Sequence, residues 1–195
     1  MYILSCNKMK LYGIIGYPLA QSASPAFFNK KFEDEGIDAR YIPFEIESTD
    51  ELPSIIEQNP ELCGFNVTIP HKLNVMQHLA GISDEAKAIN AVNVVKVTHD
   101  SEGKAQLWGY NSDVIGFSRS IKPLLGDNHK KALVLGTGGA SKAIVYALRQ
   151  LGIKVQQVSR KANENAISYK DITPEIMQSH TVIVNCTPLG MVGHG

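Results

Sequence analysis

The stretch LVLGTGGASKAIVYAL, Leu133 to Leu148, constrains the fold more than any other part of the chain. Ala132–Leu135 is apolar and strand-length, Gly136–Gly139 is a glycine turn, and Lys142–Leu151 carries apolar residues at helical spacing. Ile153–Val158 then reads as a strand, Thr173-Pro174-Glu175 as a helix start and Thr181–Asn185 as a third strand. Strand, turn, helix, strand, connection, strand is the succession of a parallel half-sheet. Backbone N–H groups at a helix N-terminus attract phosphate, and glycine lets a diphosphate come close. Gly136 and Gly138 fill the first two positions of G-x-G-x-x-G/A. Ser141 stands third, preceded by Gly139-Ala140. A tight strand–helix turn without a ligand is the plain alternative, and the strands and helix around the motif weigh toward a nucleotide.

The end of the next strand separates the nucleotides. An NAD site expects Asp or Glu there to accept from the ribose hydroxyls. This chain has Ser159-Arg160-Lys161, whose cations suit a 2′-phosphate, so NADP is the expected cofactor.

The first half reads as a mixed α/β domain. Leu11–Ile15 is a short strand closed by Gly16-Tyr17-Pro18. Ser24 has the chemistry of an N-cap and Pro25 of a first helical residue, with Phe27, Phe28 and Phe32 expected on one face and Gly36 at the end. Ala39–Ile46 is a second strand, Glu51–Gln58 a helix, and Gly64–Ile69 a third strand stopped by Pro70. His71–Leu79 reads as a helix, and Ser83 caps a shorter one. Ala91–Val97 and Gln106–Tyr110 read as a hairpin, and Asn111-Ser112-Asp113 caps a helix carrying Val114, Ile115, Phe117 and Ile121. The polar run Gly126 to Lys131 is the expected domain boundary, giving 1–125 and 126–195.

Polar residues gather at these strand ends, where α/β folds bind ligands. They are Ser22 and Ser24 after the first strand, Asn66 and Thr68 on the third, Lys72 just after it, Asn93 on the fourth and Asp113 at a helix cap. One lysine and one aspartate among hydroxyls and amides suit a polyhydroxylated substrate. Each has a plainer reading: Ser24 and Asp113 as caps, Asn66 and Thr68 as a satisfied strand edge, Lys72 as a solvated helix residue. The set is informative as a set.

Composition narrows the classes. Nineteen basic residues balance nineteen acidic ones, which argues against a nucleic-acid partner. Cys6, Cys63 and Cys186 have no metal spacing and no even pairing, so no metal is expected and the cytoplasm is the expected compartment. The longest apolar run, Ala143–Leu148, is far short of the ~20 residues of a membrane helix. MYILSCNKMK lacks a signal peptide's apolar core. A monomer or homodimer is expected.

The motifs together resemble the shikimate dehydrogenase family. GIIGYPLAQSASP is similar to its substrate loop, GFNVTIPHK to its lysine motif, and AINAVN and GYNSDVIGF to its asparagine and aspartate motifs. LVLGTGGASKA is similar to its nucleotide loop, and NCTPLGM to the segment lining its nicotinamide pocket. The six occur in family order from position 13 to 191. The resemblance implies a substrate domain followed by a Rossmann-like nucleotide domain. It implies Lys72 and Asp113 as the catalytic pair, either of which could move the proton. Ser22, Ser24, Asn66, Thr68, Lys72, Asn93 and Asp113 would bind substrate. Gly136, Gly138, Gly139 and Ala140 would cradle the diphosphate, Ser159, Arg160 and Lys161 would hold the 2′-phosphate, and Thr187, Leu189 and Met191 would line the nicotinamide. The implied reaction is NADP-linked interconversion of 3-dehydroshikimate and shikimate; a broader quinate/shikimate enzyme and a non-catalytic binding module are the alternatives. Gln21 and Ser112 stand where the family usually has His and Thr. The family continues through further strands and a helix that returns to the first domain, so the nucleotide domain is expected to be incomplete.

Overall fold

The structure, a computed structural model, describes residues 9–190. Residue contacts divide the chain into two units: one runs to Ala86 and resumes over Val92–Tyr110, and the other joins Lys87–Ala91 to everything from Asn111 onward.

The first unit holds β1 (Lys10–Gly16), α1 (Ser24–Asp34), β2 (Ala39–Glu45), α2 (Leu52–Gln58), β3 (Leu62–Val67), β4 (Gly81–Ile82), the start of α3 (Asp84–Ile89), β5 (Val94–His99) and β6 (Ala105–Tyr110). Its sheet runs β2-β1-β3-β5-β6-β4. β1 pairs in parallel with both β2 and β3, whereas β3–β5 and β5–β6 are antiparallel. Pro43 sits on the edge strand β2, where a missing N–H costs no ladder bond. One apolar layer packs Leu11, Ile15, Phe65 and Val67 with Leu52 of α2 and Val75. The other packs Ile14, Leu19 and Tyr41 beneath Phe28 and Phe32 of α1. Phe27 does not share that face as expected: it is 63% exposed, because a residue adjacent to Phe28 is turned about 100° around the helix.

Three further local readings are corrected. Ser24 is the first residue of α1 rather than its cap; Ala23 holds the cap position with no side-chain hydrogen bond. His71–Leu79 is not an α-helix but turns leading into a 3-10 stretch, Asn74–His78. The Lys72 carbonyl accepts from Val92 N–H at 2.8 Å, and Met76 N–H donates to Leu73 at 3.1 Å, so the i→i−4 ladder is broken there. Ala91–Asn93 precede β5 rather than forming part of it.

The second unit holds α4 (Ser112–Ile121), β7 (Lys131–Leu135), α5 (Gly139–Gln150), β8 (Lys154–Ser159), β9 (Ala166–Ser168), α6 (Pro174–Ser179) and β10 (Val182–Asn185). The sheet order is β10-β7-β8-β9, parallel throughout, which is the half-sheet the glycine turn implied. Ala132, Val134 and Val182 pack against Val145 and Leu148 of α5. α4 lies before the expected boundary at 125/126 yet clusters in this unit: Val114 and Phe117 pack with Ala143 and Ala147 of α5. Asn111 caps α4, accepting from Asp113 N–H at 3.0 Å. Among the described residues no helix is long and apolar enough to cross a membrane.

Two glycines are expected to answer a methyl group with opposite sign. A Cβ on Gly64 would lie 2.7 Å from the Val95 carbonyl, where β3 pairs with β5. Gly64→Ala therefore lowers the unfolding free energy by about 1–3 kcal/mol. On exposed Gly116 of α4 a Cβ would meet nothing within 4 Å. Gly116→Ala therefore raises it by up to about 1 kcal/mol. Urea denaturation read by circular dichroism checks both.

Candidate active site

In the first unit the candidate residues are brought together by the way three strand ends satisfy their backbone. Val67 N–H donates to the Asn93 carbonyl at 2.9 Å, Thr68 N–H to Ile15 at 3.0 Å and Asn93 N–H to Tyr110 at 3.0 Å. The end of β1, the end of β3 and the segment before β5 therefore meet, and with them Asn66, Thr68 and Asn93. The Asn66 amide also donates to the Asn93 carbonyl at 3.4 Å. Asn93 is buried, and Asn66, Thr68 and Lys72 are half-buried. A Cβ on Gly16 would come within 2.4 Å of the Thr68 methyl, so only glycine lets β1 end this close to Thr68.

Tyr41 of β2, which residue order alone does not single out, organises this set. Its Oη donates to Asn66 Oδ1 at 2.7 Å, and the Ser24 hydroxyl lies near enough to favour its ionised form. One expected substrate contact is thus held by a buried phenol, with a second beside it. Burial pushes that phenol well above its ordinary range, outweighing the Ser24 hydroxyl that pulls it down, so it stays neutral and can donate. The backbone of Tyr41 is fixed in turn by Asn29 of α1: Tyr41 N–H donates to Asn29 Oδ1, and Asn29 Nδ2 to the Tyr41 carbonyl, both at 2.8 Å. A side chain thereby satisfies the open edge of β2. The signal in the sequence is a tyrosine at a buried strand position, whose hydroxyl must find a partner.

His71 is a second organising residue that its sequence context does not announce. Its ring is 1% exposed, Nε2 lies 2.7 Å from the Ile46 carbonyl, and Nδ1 has no partner. Nε2 must be the donor, and the bond ties the segment before Lys72 to the end of β2. Lys72 is therefore carried on a pinned turn, not on the solvated helix of the plainer reading. Ser22 lies in the loop after β1. That loop is anchored where Leu19 N–H donates to the Glu45 carboxylate at 2.5 Å and Ser22 N–H to Leu19 at 2.9 Å. A larger cavity, about 600 Å³, lies between α2, the 3-10 stretch and the β5–β6 hairpin, and none of these candidates lines it.

In the second unit Asp113 stands half-buried in the first turn of α4. The glycine turn fits a diphosphate. Gly138 caps α5 without a side-chain bond, and a Cβ on Gly138 or Gly139 would meet nothing within 4 Å, so the helix N-terminus is approachable. Gly136 has φ +107°, and a Cβ there would lie 3.1 Å from the Cys186 carbonyl, so glycine is required where β7 leaves beside β10. Ser141 in the third motif position is fully buried, and its hydroxyl donates to the Gly138 carbonyl at 2.7 Å. A small residue that satisfies itself thus meets the close packing that position requires. Ala140 is exposed on the first turn of α5.

Thr187 and Leu189 form a compact turn after β10. Thr187 N–H and Oγ1 donate to Asn185 Oδ1 at 2.9 and 2.7 Å, and Asn185 Nδ2 donates to the Leu189 carbonyl at 3.1 Å. Cys186 N–H donates to Leu135 at 2.8 Å, which sets this turn beside the exit of β7. Met191 lies outside the described residues. At the exit of β8 the Ser159 hydroxyl donates to the Lys161 carbonyl, and Arg160 and Lys161 are exposed. A cavity of about 380 Å³ beside the glycine turn is lined by Thr137, Lys142, Gln157, Asn163, Glu164 and Asn165, not by the two cations after β8. Among the described residues no cluster of three His, Cys, Asp or Glu is placed to hold a metal ion.

Comparison with known proteins agrees with both halves. The family model described as the shikimate dehydrogenase substrate binding domain matches residues 14–95. The NADP(+) shikimate dehydrogenase of Aquifex aeolicus is 40% identical over 93% of this chain and 69% of its own length. That of Methanococcus maripaludis strain C7 is 37% identical over 95% of this chain and 70% of its own. The crystal structure of Thermus thermophilus shikimate 5-dehydrogenase in complex with NADP(H) and shikimate superposes with a TM-score of 0.76. It is 30% identical and covers 92% of this chain and 69% of that one. With a substrate-binding half and a nucleotide-binding half in that order, and relatives at this identity over most of its length, the chain belongs to the shikimate dehydrogenase family.

Proposed function

We propose that the chain interconverts 3-dehydroshikimate and shikimate by hydride exchange with NADP, the first unit reading the substrate and the second the nucleotide. The observation that carries this reading is the Tyr41–Asn66–Asn93 arrangement at the end of β3 with half-buried Lys72 beside it in sequence. It offers amide and hydroxyl partners to a ring bearing several hydroxyls, and a cation for an oxygen that becomes negative. NADPH, when bound, supplies the hydride. Ser22, Ser24, Asn66, Thr68 and Asn93 orient the substrate through hydrogen bonds to its hydroxyls and carboxylate, so that its ketone carbon is presented in one pose. Lys72 Nζ donates to the ketone oxygen and stabilises the alkoxide as it forms. Asp113 keeps the lysine charged or shares the proton, since a carboxylate favours the protonated amine. For the cofactor, the first-turn N–H groups of α5 hold the diphosphate, with Gly136, Gly138, Gly139 and Ala140 leaving room for it. Ser159, Arg160 and Lys161 face the 2′-phosphate, and Thr187 and Leu189 flank the nicotinamide. We place the protein in the cytoplasm as a monomer or homodimer.

The direct test is absorbance at the nicotinamide band with shikimate and NADP, then with quinate and NAD. NADP-dependent turnover of shikimate supports the reading, and no turnover with either pair overturns it. Lys72→Ala is expected to lower kcat on the order of 10²-fold, about 3 kcal/mol, with a far smaller change in KM. Near-full turnover removes Lys72 from the chemistry. Tyr41→Phe deletes the donor to Asn66 Oδ1 and leaves the ring in place. KM for shikimate should rise about fivefold, the equivalent of about 1 kcal/mol, while kcat changes little. Arg160→Ala should weaken NADP more than NAD in steady-state kinetics; equal losses would refute its pairing with the 2′-phosphate.

A further inference from the structure

We infer that Glu164 tunes the nucleotide preference of the second unit by opposing a 2′-phosphate in the cavity beside the glycine turn; this rests on the nucleotide reading above. The cavity of about 380 Å³ touches three parts of the nucleotide half: Thr137 in the glycine turn, Lys142 in the first turn of α5 and Gln157 on β8. Gln157 also reaches the glycine turn itself, its Nε2 donating to the Gly136 carbonyl at 3.4 Å. The fourth side is the loop Asn163–Asn165.

That loop is held. Asn163 N–H donates to the Ala166 carbonyl at 2.9 Å, Ala166 N–H returns a bond to Asn163 at 3.3 Å, and Asn165 N–H donates to Asn163 Oδ1 at 2.9 Å. Glu164 stands at the tip of this closed turn, one of two charged residues lining the cavity; the other is Lys142. Among the described residues neither has an ion-pair partner within 4.0 Å, the other included. The cavity is thus lined by a cation and an anion that do not pair within 4.0 Å, together with two asparagines, a glutamine and a threonine. A ribose carrying a free 2′-hydroxyl can donate to the Glu164 carboxylate. A ribose carrying a 2′-phosphate meets like charge there and is attracted only by Lys142 and by the cations after β8. Glu164 therefore acts as a specificity-determining residue that holds the preference for NADP below what Arg160, Lys161 and Lys142 would set alone.

The test is isothermal titration calorimetry of the full chain with NADP+ and with NAD+, for wild type, Glu164→Gln and Glu164→Lys. Glu102→Gln on the β5–β6 hairpin makes the same charge change elsewhere and serves as the control. Glu164→Gln should raise the ratio of the NAD+ to the NADP+ dissociation constant about tenfold. Glu164→Lys should raise it further, and added salt should shrink the difference from wild type. The proposal is overturned if Glu164→Gln leaves that ratio within about twofold of wild type, or if Glu102→Gln reproduces its effect. If wild type melts cooperatively yet binds neither dinucleotide, the nucleotide reading itself fails and this inference falls with it.

Discussion

The end of β3 is where the substrate half is decided. β3 lies inside the sheet and pairs in parallel on one side, with β1, and antiparallel on the other, with β5. A buried strand between two such neighbours must hand its last N–H groups to different partners. Here Val67 turns to the Asn93 carbonyl and Thr68 to Ile15. That requirement brings the C-terminal end of β1 and the segment before β5 to one place, and puts Asn66, Thr68 and Asn93 there as a consequence of backbone satisfaction. The Asn66 side chain is then held by further bonds, from the Tyr41 hydroxyl and to the Asn93 carbonyl. The arrangement is organised before any substrate arrives, which lowers the entropy cost of binding.

Much of this can be read from residue order, because it depends on local chemistry. The parallel half-sheet is implied by apolar runs around four glycine-turn residues. Asn111 as the cap of α4 is implied by its short side chain ahead of an apolar helix. The convergence of Asn66, Thr68 and Asn93 is legible as polar residues at strand ends. The illegible parts depend on partners distant in sequence. Tyr41 looks like any strand tyrosine until β2 is laid beside β1 and α1, and the partner of its hydroxyl is 25 residues away. His71 is ordinary until its ring reaches Ile46, 25 residues earlier. The expected helix over His71–Leu79 fails for the same reason: Val92 takes the Lys72 carbonyl, and no pattern within that segment encodes it. β9 is three residues long, too short to show a period of two.

Both units make a ligand-facing sheet end by the same device. In the first, Gly16 ends β1, and a Cβ there would strike the Thr68 methyl at 2.4 Å and Leu19 at 2.8 Å. In the second, Gly136 ends β7 at φ +107°, with the Cys186 carbonyl 3.1 Å from where its Cβ would be. Each glycine lets the chain leaving one strand close against the chain leaving its neighbour, β3 in one case and β10 in the other. The gap it leaves is then used differently. After β1 the chain enters a loop fixed by the Glu45 carboxylate. After β7 it turns at once into α5, whose first N–H groups face outward without a side-chain cap. A ring bearing hydroxyls and a carboxylate needs directional side-chain partners, whereas a diphosphate needs many N–H donors at close range. The same backbone economy at two glycines therefore serves the proposed site for a hydroxylated acid in one unit and the proposed seat for phosphates in the other. The difference lies in the residues after each glycine: Ser22 in the loop after Gly16 and Ser24 at the start of α1, against a helix with no side-chain cap after Gly136.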